Sequence, residues 1–95
     1  MIGRAVTYKM KPGSLPKIQS IIDTAKAKMA KVPGVVVSCS MWNDDGSAYT
    51  FSLWESTAAA EAAGPALKDI WDEVGPHLAS PPDARVFSHA EKLAG

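Results

Sequence analysis

Bulky apolar side chains occupy every second position of one stretch near the middle of the chain, AYTFSLWES over Ala48–Ser56. A period of two is the pattern of a β-strand with one large face. A turn cluster with an Asp-Gly pair, Asn43–Ser47, precedes this strand, and the apolar run Val35–Trp42 precedes the turn. Two apolar runs on either side of such a turn predict a β-hairpin. Within the first run, one face is predicted to carry Val35, Val37, Cys39 and Met41.

The chain before the hairpin predicts a strand and then a helix. Ile2–Met10 alternates as a strand does, and Arg4 is the unusual charged member of its larger face. Ser14 is predicted to be the N-cap of the helix, since serine is favoured there. An apolar stripe at helical spacing runs on from Leu15, and a Pro-Gly pair ends it near Val32.

A second helical region and a last strand are predicted after the hairpin. Ser56–Ala63 is a short alanine-rich helix that Ser56 caps, and Gly64-Pro65 breaks it. A further helical stripe follows, formed by Leu67, Ile70, Trp71 and Val74. A loop over His77–Pro82 then leads to a strand over Ala84–Ala90.

This order, β-α-β-β-α-β, predicts an α+β fold with a ferredoxin-like plait. Right-handed crossovers place both helices on one face of a four-stranded antiparallel sheet. With 95 residues, the chain is expected to form a single domain over residues 1–95. Neither sheet face is polar enough to stand in water, so a second copy of the protein is expected to cover the free face, giving a homodimer.

The charge, the hydrophobic runs and the cysteine count of the chain bear on which partners and which compartment are expected. Ten basic and ten acidic residues give a net charge of zero, which argues against a nucleic-acid-binding protein. No apolar stretch approaches a membrane span, so no membrane partner is expected. The one cysteine, Cys39, cannot form an intramolecular disulfide, which favours a cytoplasmic location; we expect it to be inert and buried in the core.

Four short segments together carry a resemblance to a known family. They are KPG before the first helix, PGV at the start of the second strand, the glycine-bearing hairpin, and WES before the alanine-rich helix. Over roughly Arg4–Ala63 the chain resembles the antibiotic biosynthesis monooxygenase-like (ABM) domains of the dimeric α+β barrel superfamily. The resemblance implies a homodimer of facing sheets with a pocket between sheet and helices in each subunit. Members oxidise polycyclic aromatic substrates without metal or flavin, cleave haem, or have no assigned activity.

The haem-cleaving members can be compared position by position. They carry a Trp, a haem-ligating His and an Asn at places that here hold Gly64, Val74, and Thr7 or Tyr8. The resemblance therefore argues against haem cleavage, unless Trp71 and His77 form a shifted site, and no cofactor is expected.

Five residues are candidates for the site. Tyr8 and His77 are the candidate catalytic residues, and Arg4, Trp54 and Trp71 are the candidate substrate-binding residues. Each has a structural alternative. Both tryptophans could be core residues, His77 an exposed helix-end residue, and Arg4 a salt-bridge partner at the dimer seam. Tyr8 could pack with its hydroxyl at the surface. The two histidines lack the spacing of a metal site.

Two functions remain open. The first is a homodimeric barrel protein that binds an apolar or aromatic small molecule, as a cofactor-independent monooxygenase. The second is a non-catalytic ligand-binding or stress-related accessory dimer of the same superfamily. A closed apolar pocket with converging polar groups would favour the enzyme, and a filled core would favour the accessory protein.

Overall fold

The computed structural model describes residues 1–95 and contains one four-stranded antiparallel sheet in the order β2-β3-β1-β4. The strands are β1 (Ile2–Lys9), β2 (Val35–Trp42), β3 (Ser47–Trp54) and β4 (Asp83–Phe87). This is the order of a ferredoxin-like plait, so the predicted fold class is confirmed. The last strand ends at Phe87 rather than at the predicted Ala90.

The helices pack on one face of this sheet. They are α1 (Ile18–Met29), α2 (Thr57–Ala62) and α3 (Gly64–Val74), with short 3₁₀ segments over Pro12–Lys17 and Gly75–His77. The predicted break at Gly64-Pro65 and the predicted cap at Ser56 are both present, and the Ser56 hydroxyl accepts the Ala59 N–H at 3.1 Å. The longest helix has 12 residues, and none has the length and hydrophobicity that a bilayer crossing requires.

The start of the first helical region differs from the prediction. Ser14 does not cap α1; it lies buried inside the 3₁₀ segment, where its hydroxyl bonds to the His77 ring. Pro16 falls within the same segment, and α1 starts only at Ile18. Proline has no N–H for the i→i−4 bonds of an α-helix interior, and α1 begins two residues after Pro16.

A register irregularity between Val35 and Val37 changes the face of one residue. Val35 pairs with Trp54, whereas Val37 pairs with Leu53. Val35 therefore packs with the core around Trp54, and it does not share a face with Val37, Cys39 and Met41 as the alternation predicted. A β-bulge of this kind inserts one residue and reverses the side-chain alternation locally.

Trp54 anchors the core at one end of the sheet. Its side chain is 0% exposed and packs with Ile2, Val32 and Ala63, which brings the end of β3 under the α2–α3 junction. Trp54 is therefore a core residue, the structural alternative given for it in the sequence analysis, and not a residue exposed to a ligand. A second cluster at the other end joins Met10, Val74 and Leu78.

The sheet face away from the helices is apolar and uncovered in the single chain. Pairing across the strands places Met41 opposite Tyr49, Cys39 opposite Phe51, and Val37 opposite Leu53 on this outward face. Met41 is 53% exposed, and Phe87 at the edge is 51% exposed. Cys39 is exposed on the same face, so the prediction that it is buried in the core is wrong. The outward register of β2 explains the difference.

Candidate functional site

A cavity of about 460 Å³ separates α1 from the sheet. The α1 side is mainly apolar, with Ile18, Ile22, Ala25 and Met29 along it. No residue of α1 is fully buried, because the helix faces this cavity rather than packing closely on the strands. Pockets that hold small molecules have volumes of about 300–1,000 Å³ and mostly apolar walls, so this cavity has the size and lining of a ligand site.

The sheet side of the cavity is polar, which is unusual for the inner face of a two-layer fold. The hydroxyl oxygens of Ser40 and Thr50 lie 2.7 Å apart, and the Thr50 hydroxyl lies 3.4 Å from that of Tyr8. Ser38 and Ser52 pair across β2 and β3 in the next row and also line the cavity. A row of hydroxyl groups that can both donate and accept hydrogen bonds therefore faces the apolar helix.

Tyr8 and Trp71 close one end of the cavity. Their rings meet edge to face, with centroids 5.3 Å apart and planes at 82°. Tyr8 comes from β1 and Trp71 from α3, so this contact fixes the helix relative to the sheet at the site. Such aromatic pairs contribute about 0.5–1.5 kcal/mol beyond the area that they bury. Both residues remain half-buried, which leaves ring surface available to the cavity.

Arg4 lies two residues before Val6 on the same inner face of β1 and is half-buried. The ion pairs of the chain join Lys28 to Asp69 and Glu73, and Lys68 to Asp72, so no carboxylate neutralises Arg4. Loss of solvent lowers the pKa of the Arg4 guanidinium from its usual value. Arg4 lies on the face of β1 that is turned toward the helices rather than on the outward sheet face.

A second open space, of about 510 Å³, lies on the other side of α3, toward β4. We call it the β4 groove. Its walls are mainly apolar and include Ile2, Val6, Ala60, Ala84 and Val86. Arg4, Leu67 and Trp71 line both this groove and the cavity under α1. The two spaces therefore meet at Arg4, below the α3 side chains Leu67 and Trp71.

The structure thus brings three of the five candidate residues together: Arg4, Tyr8 and Trp71 line one cavity. Trp54 lies apart from it, fully buried, with its indole N–H donating to Ser52 Oγ at 2.9 Å. His77 is half-buried rather than exposed, and its Nδ1 lies 2.9 Å from Ser14 Oγ, away from the cavity.

The hydroxyl row was not among the site residues predicted from the sequence. Ser38, Ser40 and Thr50 were visible in the sequence only as small polar residues on one face of two strands. The signal that could have found them is their register: Ser40 and Thr50 are placed directly opposite each other by the hairpin, on the face that packs against helices. No group of three or more His, Cys, Asp or Glu side chains is placed so that it could hold a metal ion.

Comparison with solved structures places this fold among ABM-like proteins. A proposed antibiotic biosynthesis monooxygenase from Caulobacter crescentus aligns with a TM-score of 0.79 at 23% identity, covering 95% of this chain and 90% of that one. A variant of SnoaB, a cofactor-independent oxygenase from Streptomyces nogalater, aligns with a TM-score of 0.76 at 15% identity over 99% and 97%. A protein of unknown function from Nitrosomonas europaea aligns with a TM-score of 0.81 at 16% identity over 99% and 94%.

The chain therefore has the fold of the ABM-like structures, and the resemblance noted in its sequence is confirmed at the level of the fold. No family model matches the sequence, and no curated protein matches it. One of the similar structures is an oxygenase and another has no known function. Because one fold can carry several functions, the activity has to be argued from the site.

Proposed function

We propose that the protein binds an aromatic small molecule in the cavity under α1 and oxidises it with molecular oxygen, as a cofactor-independent monooxygenase. The observation that carries this proposal is the cavity itself, in which an apolar helix face lies opposite Arg4, Tyr8 and a row of hydroxyls. Apolar walls with a few converging polar groups are the usual arrangement of a small-molecule site.

The polar groups fit an aromatic compound that ionises to an anion. The Arg4 guanidinium has no carboxylate partner and stays charged at neutral pH, so it can stabilise an enolate or phenolate. The Tyr8 hydroxyl can donate a hydrogen bond to the same oxygen. Charge-assisted bonds of this kind are stronger in a site from which water is excluded.

The chemistry needs an electron-rich anion and oxygen. A carbon acid such as anthrone loses a proton from its methylene group to give an enolate, which then reacts with O₂. The methylene carbon gains one oxygen atom and becomes a carbonyl, and the second oxygen atom leaves with the two hydrogens as water. In this account the protein stabilises the anion and excludes water, and the oxidant is O₂ itself.

A second function has an observation in its favour. No carboxylate or imidazole lines the cavity, so the groups that most often act as a general base are absent, and only Tyr8, Lys26 and Cys39 remain in the lining to remove the proton. This favours a non-catalytic protein that binds the same kind of ligand. The two functions share the site and differ only in whether the bound molecule is consumed.

We also propose that the protein forms a homodimer through its outward sheet face. Tyr49, Phe51 and Leu53 form an apolar strip there, with Met41 and Phe87 exposed beside it. Apolar patches of this kind on a small protein usually mark an interface. The cavity opens on the opposite side of the sheet, so dimerisation would leave the site accessible.

Oxygen uptake with anthrone as substrate tests the proposed reaction. We expect the protein to accelerate oxygen consumption above the buffer rate, with one anthraquinone formed for each O₂ consumed. Tyr8→Phe should slow the reaction on the order of 10- to 100-fold, the effect of losing one hydrogen bond to a charged group. Tyr49→Phe removes a hydroxyl from the outward face and should leave the rate unchanged.

Binding without turnover would support the second function instead. Anthraquinone sulfonate is a suitable probe because it is polycyclic, anionic and unreactive toward oxygen. If calorimetry detects its binding while anthrone is not oxidised, the protein is a ligand-binding protein. If neither compound binds, both functions are wrong.

A further inference from the structure

Arg4 can be reached from two sides, and only one of them is used by the proposed function. The cavity under α1 approaches the guanidinium from the side of Tyr8, and the β4 groove approaches it from the side of Val86. Leu67 and Trp71 of α3 line both spaces, as Arg4 does. A cation that lines two adjoining spaces can bind an anion in either of them.

The lining of the β4 groove suits a ligand that has a long apolar chain and an anionic group at one end. Arg4 lines the groove, opposite Val86 across β1 and β4, and the apolar lining is largely aliphatic, with Ile2, Val6, Ala84 and Val86 on the strands. No other element covers the inner face of β4, where Val86 is 68% exposed. The groove's volume of about 510 Å³ lies within the range of small-molecule sites.

The charges around the groove favour an anion at Arg4 rather than elsewhere. Lys68 also lines the groove, but its ammonium group is held by Asp72 at 2.6 Å. Glu61 is the one carboxylate in the lining, and it is exposed and makes no ion pair with Arg4. The guanidinium is therefore the free cation of the groove, and it offers the planar pair of donors that matches a carboxylate.

We propose that the β4 groove binds an amphiphilic carboxylate, with its carboxylate on Arg4 and its hydrocarbon chain between α3 and β4. This site goes beyond the proposed function, since it uses a different space and requires no oxidation. Because one guanidinium serves both spaces, the carboxylate competes with an anionic ligand of the cavity under α1. An aliphatic acid bound in the groove would therefore inhibit the binding of an anionic ligand in the cavity under α1.

Calorimetry with decanoate and decanol on the full chain tests this site. Decanoate should bind, and decanol, which has the same chain and no charge, should bind at least about 10-fold more weakly, as expected for the loss of a charge-assisted hydrogen bond. Arg4→Met should bring the decanoate affinity down to that of decanol. Arg4→Lys keeps the charge and should retain part of the preference, and decanol binding by Arg4→Met with the affinity of the parent shows that this variant is folded.

Filling the groove separates it from the cavity. Val86→Trp should abolish decanoate binding and leave anthraquinone sulfonate binding unchanged, while Leu93→Trp, in the exposed tail, should change neither. Decanoate should also raise the apparent dissociation constant of anthraquinone sulfonate. Equal affinity for decanoate and decanol, or decanoate binding unchanged in Val86→Trp, would overturn the proposal.

Further outcomes distinguish the carboxylate site from occupation of the groove by a second copy and from the proposed function. If decanoate affinity falls as the protein concentration rises, a segment of a second copy occupies the groove, and the carboxylate site is wrong. If decanoate binds and anthraquinone sulfonate does not, the carboxylate site in the β4 groove is supported and the proposed function is wrong. If anthraquinone sulfonate binds and decanoate does not, the carboxylate site is wrong and the proposed function is unaffected.

Discussion

The ring of Tyr8 meets the ring of Trp71 edge to face, 5.3 Å apart, at the end of the cavity under α1. This contact joins β1 to α3 and is at the same time part of the wall that a ligand would touch. Both rings are half-buried, so they contribute less to the core than a residue such as Trp54.

Replacement of Trp71 should therefore affect binding more than stability. Trp71→Leu keeps an apolar side chain on α3 and removes the edge-to-face contact, which is worth about 0.5–1.5 kcal/mol. We expect the free energy of unfolding in urea to fall by less than the roughly 3–5 kcal/mol that deletion of a fully buried tryptophan costs, and the affinity for anthraquinone sulfonate to fall several-fold. A large loss of stability with unchanged affinity would assign Trp71 to the core instead.

The buried pair Ser52 and Trp54 should be important for stability. Ser52 is 6% exposed and accepts the indole N–H of Trp54, so Ser52→Ala leaves that N–H buried without a partner. We expect a loss of about 1–3 kcal/mol in urea unfolding. Ser38→Ala is the matched control, because Ser38 pairs with Ser52 across the strands but is exposed, and its effect should stay within about 0.5 kcal/mol. Equal effects of the two variants would show that the indole bond contributes nothing.

The hairpin turn should contribute to stability in a pH-dependent way. Asp45 accepts hydrogen bonds from the hydroxyl and the N–H of Ser47, and these bonds hold the pKa of Asp45 below its usual value of 3.8. A lowered pKa in the folded state means that the stabilisation is present above pH 3.8 and is lost as the pH falls through the folded-state pKa.

Unfolding in urea at several pH values measures this effect. The stability difference between the parent and Asp45→Asn should shrink as the pH is lowered through this range, while Asp44→Asn, whose side chain makes no such bonds, serves as the control. A difference that is the same at all pH values would show that the carboxylate does not matter.

Light scattering tests the proposed dimer. We expect the parent to have twice the mass of the 10.0 kDa chain at micromolar concentration. Phe51→Glu places a charge in the middle of the outward face and should give a monomer, whereas Leu93→Glu in the exposed tail should not. A parent protein that is monomeric at high concentration would refute the interface.

The sequence predicted the architecture well because its signals are local. Alternating strands, the Asp-Gly turn, the Ser56 cap and the Gly64-Pro65 break are each decided within a few residues, and all of them appear in the structure. The bulge at Val35–Val37 escaped prediction, since it depends on where β2 pairs with β3 and not on the local pattern.

The site was harder to predict because its parts meet only in three dimensions. Tyr8 and Trp71 were candidates for their chemistry, but nothing local indicates that they touch. Ser14 shows the same difficulty. Serine is a residue type favoured at helix N-caps, yet the Ser14 hydroxyl bonds to His77, which lies far along the chain. The hydroxyl row required knowledge of which face of the hairpin packs under the helices.

Closing the cavity under α1 is the most direct test of the central claim that this cavity is the ligand site. Ala25 faces the cavity from α1, and Ala27, on the same helix, is exposed. By calorimetry, Ala25→Trp should abolish the binding of anthraquinone sulfonate, because the indole fills the space, and Ala27→Trp should bind it as the parent does. If Ala25→Trp remains folded and binds the probe with the affinity of the parent, the ligand does not occupy this cavity and the account is wrong.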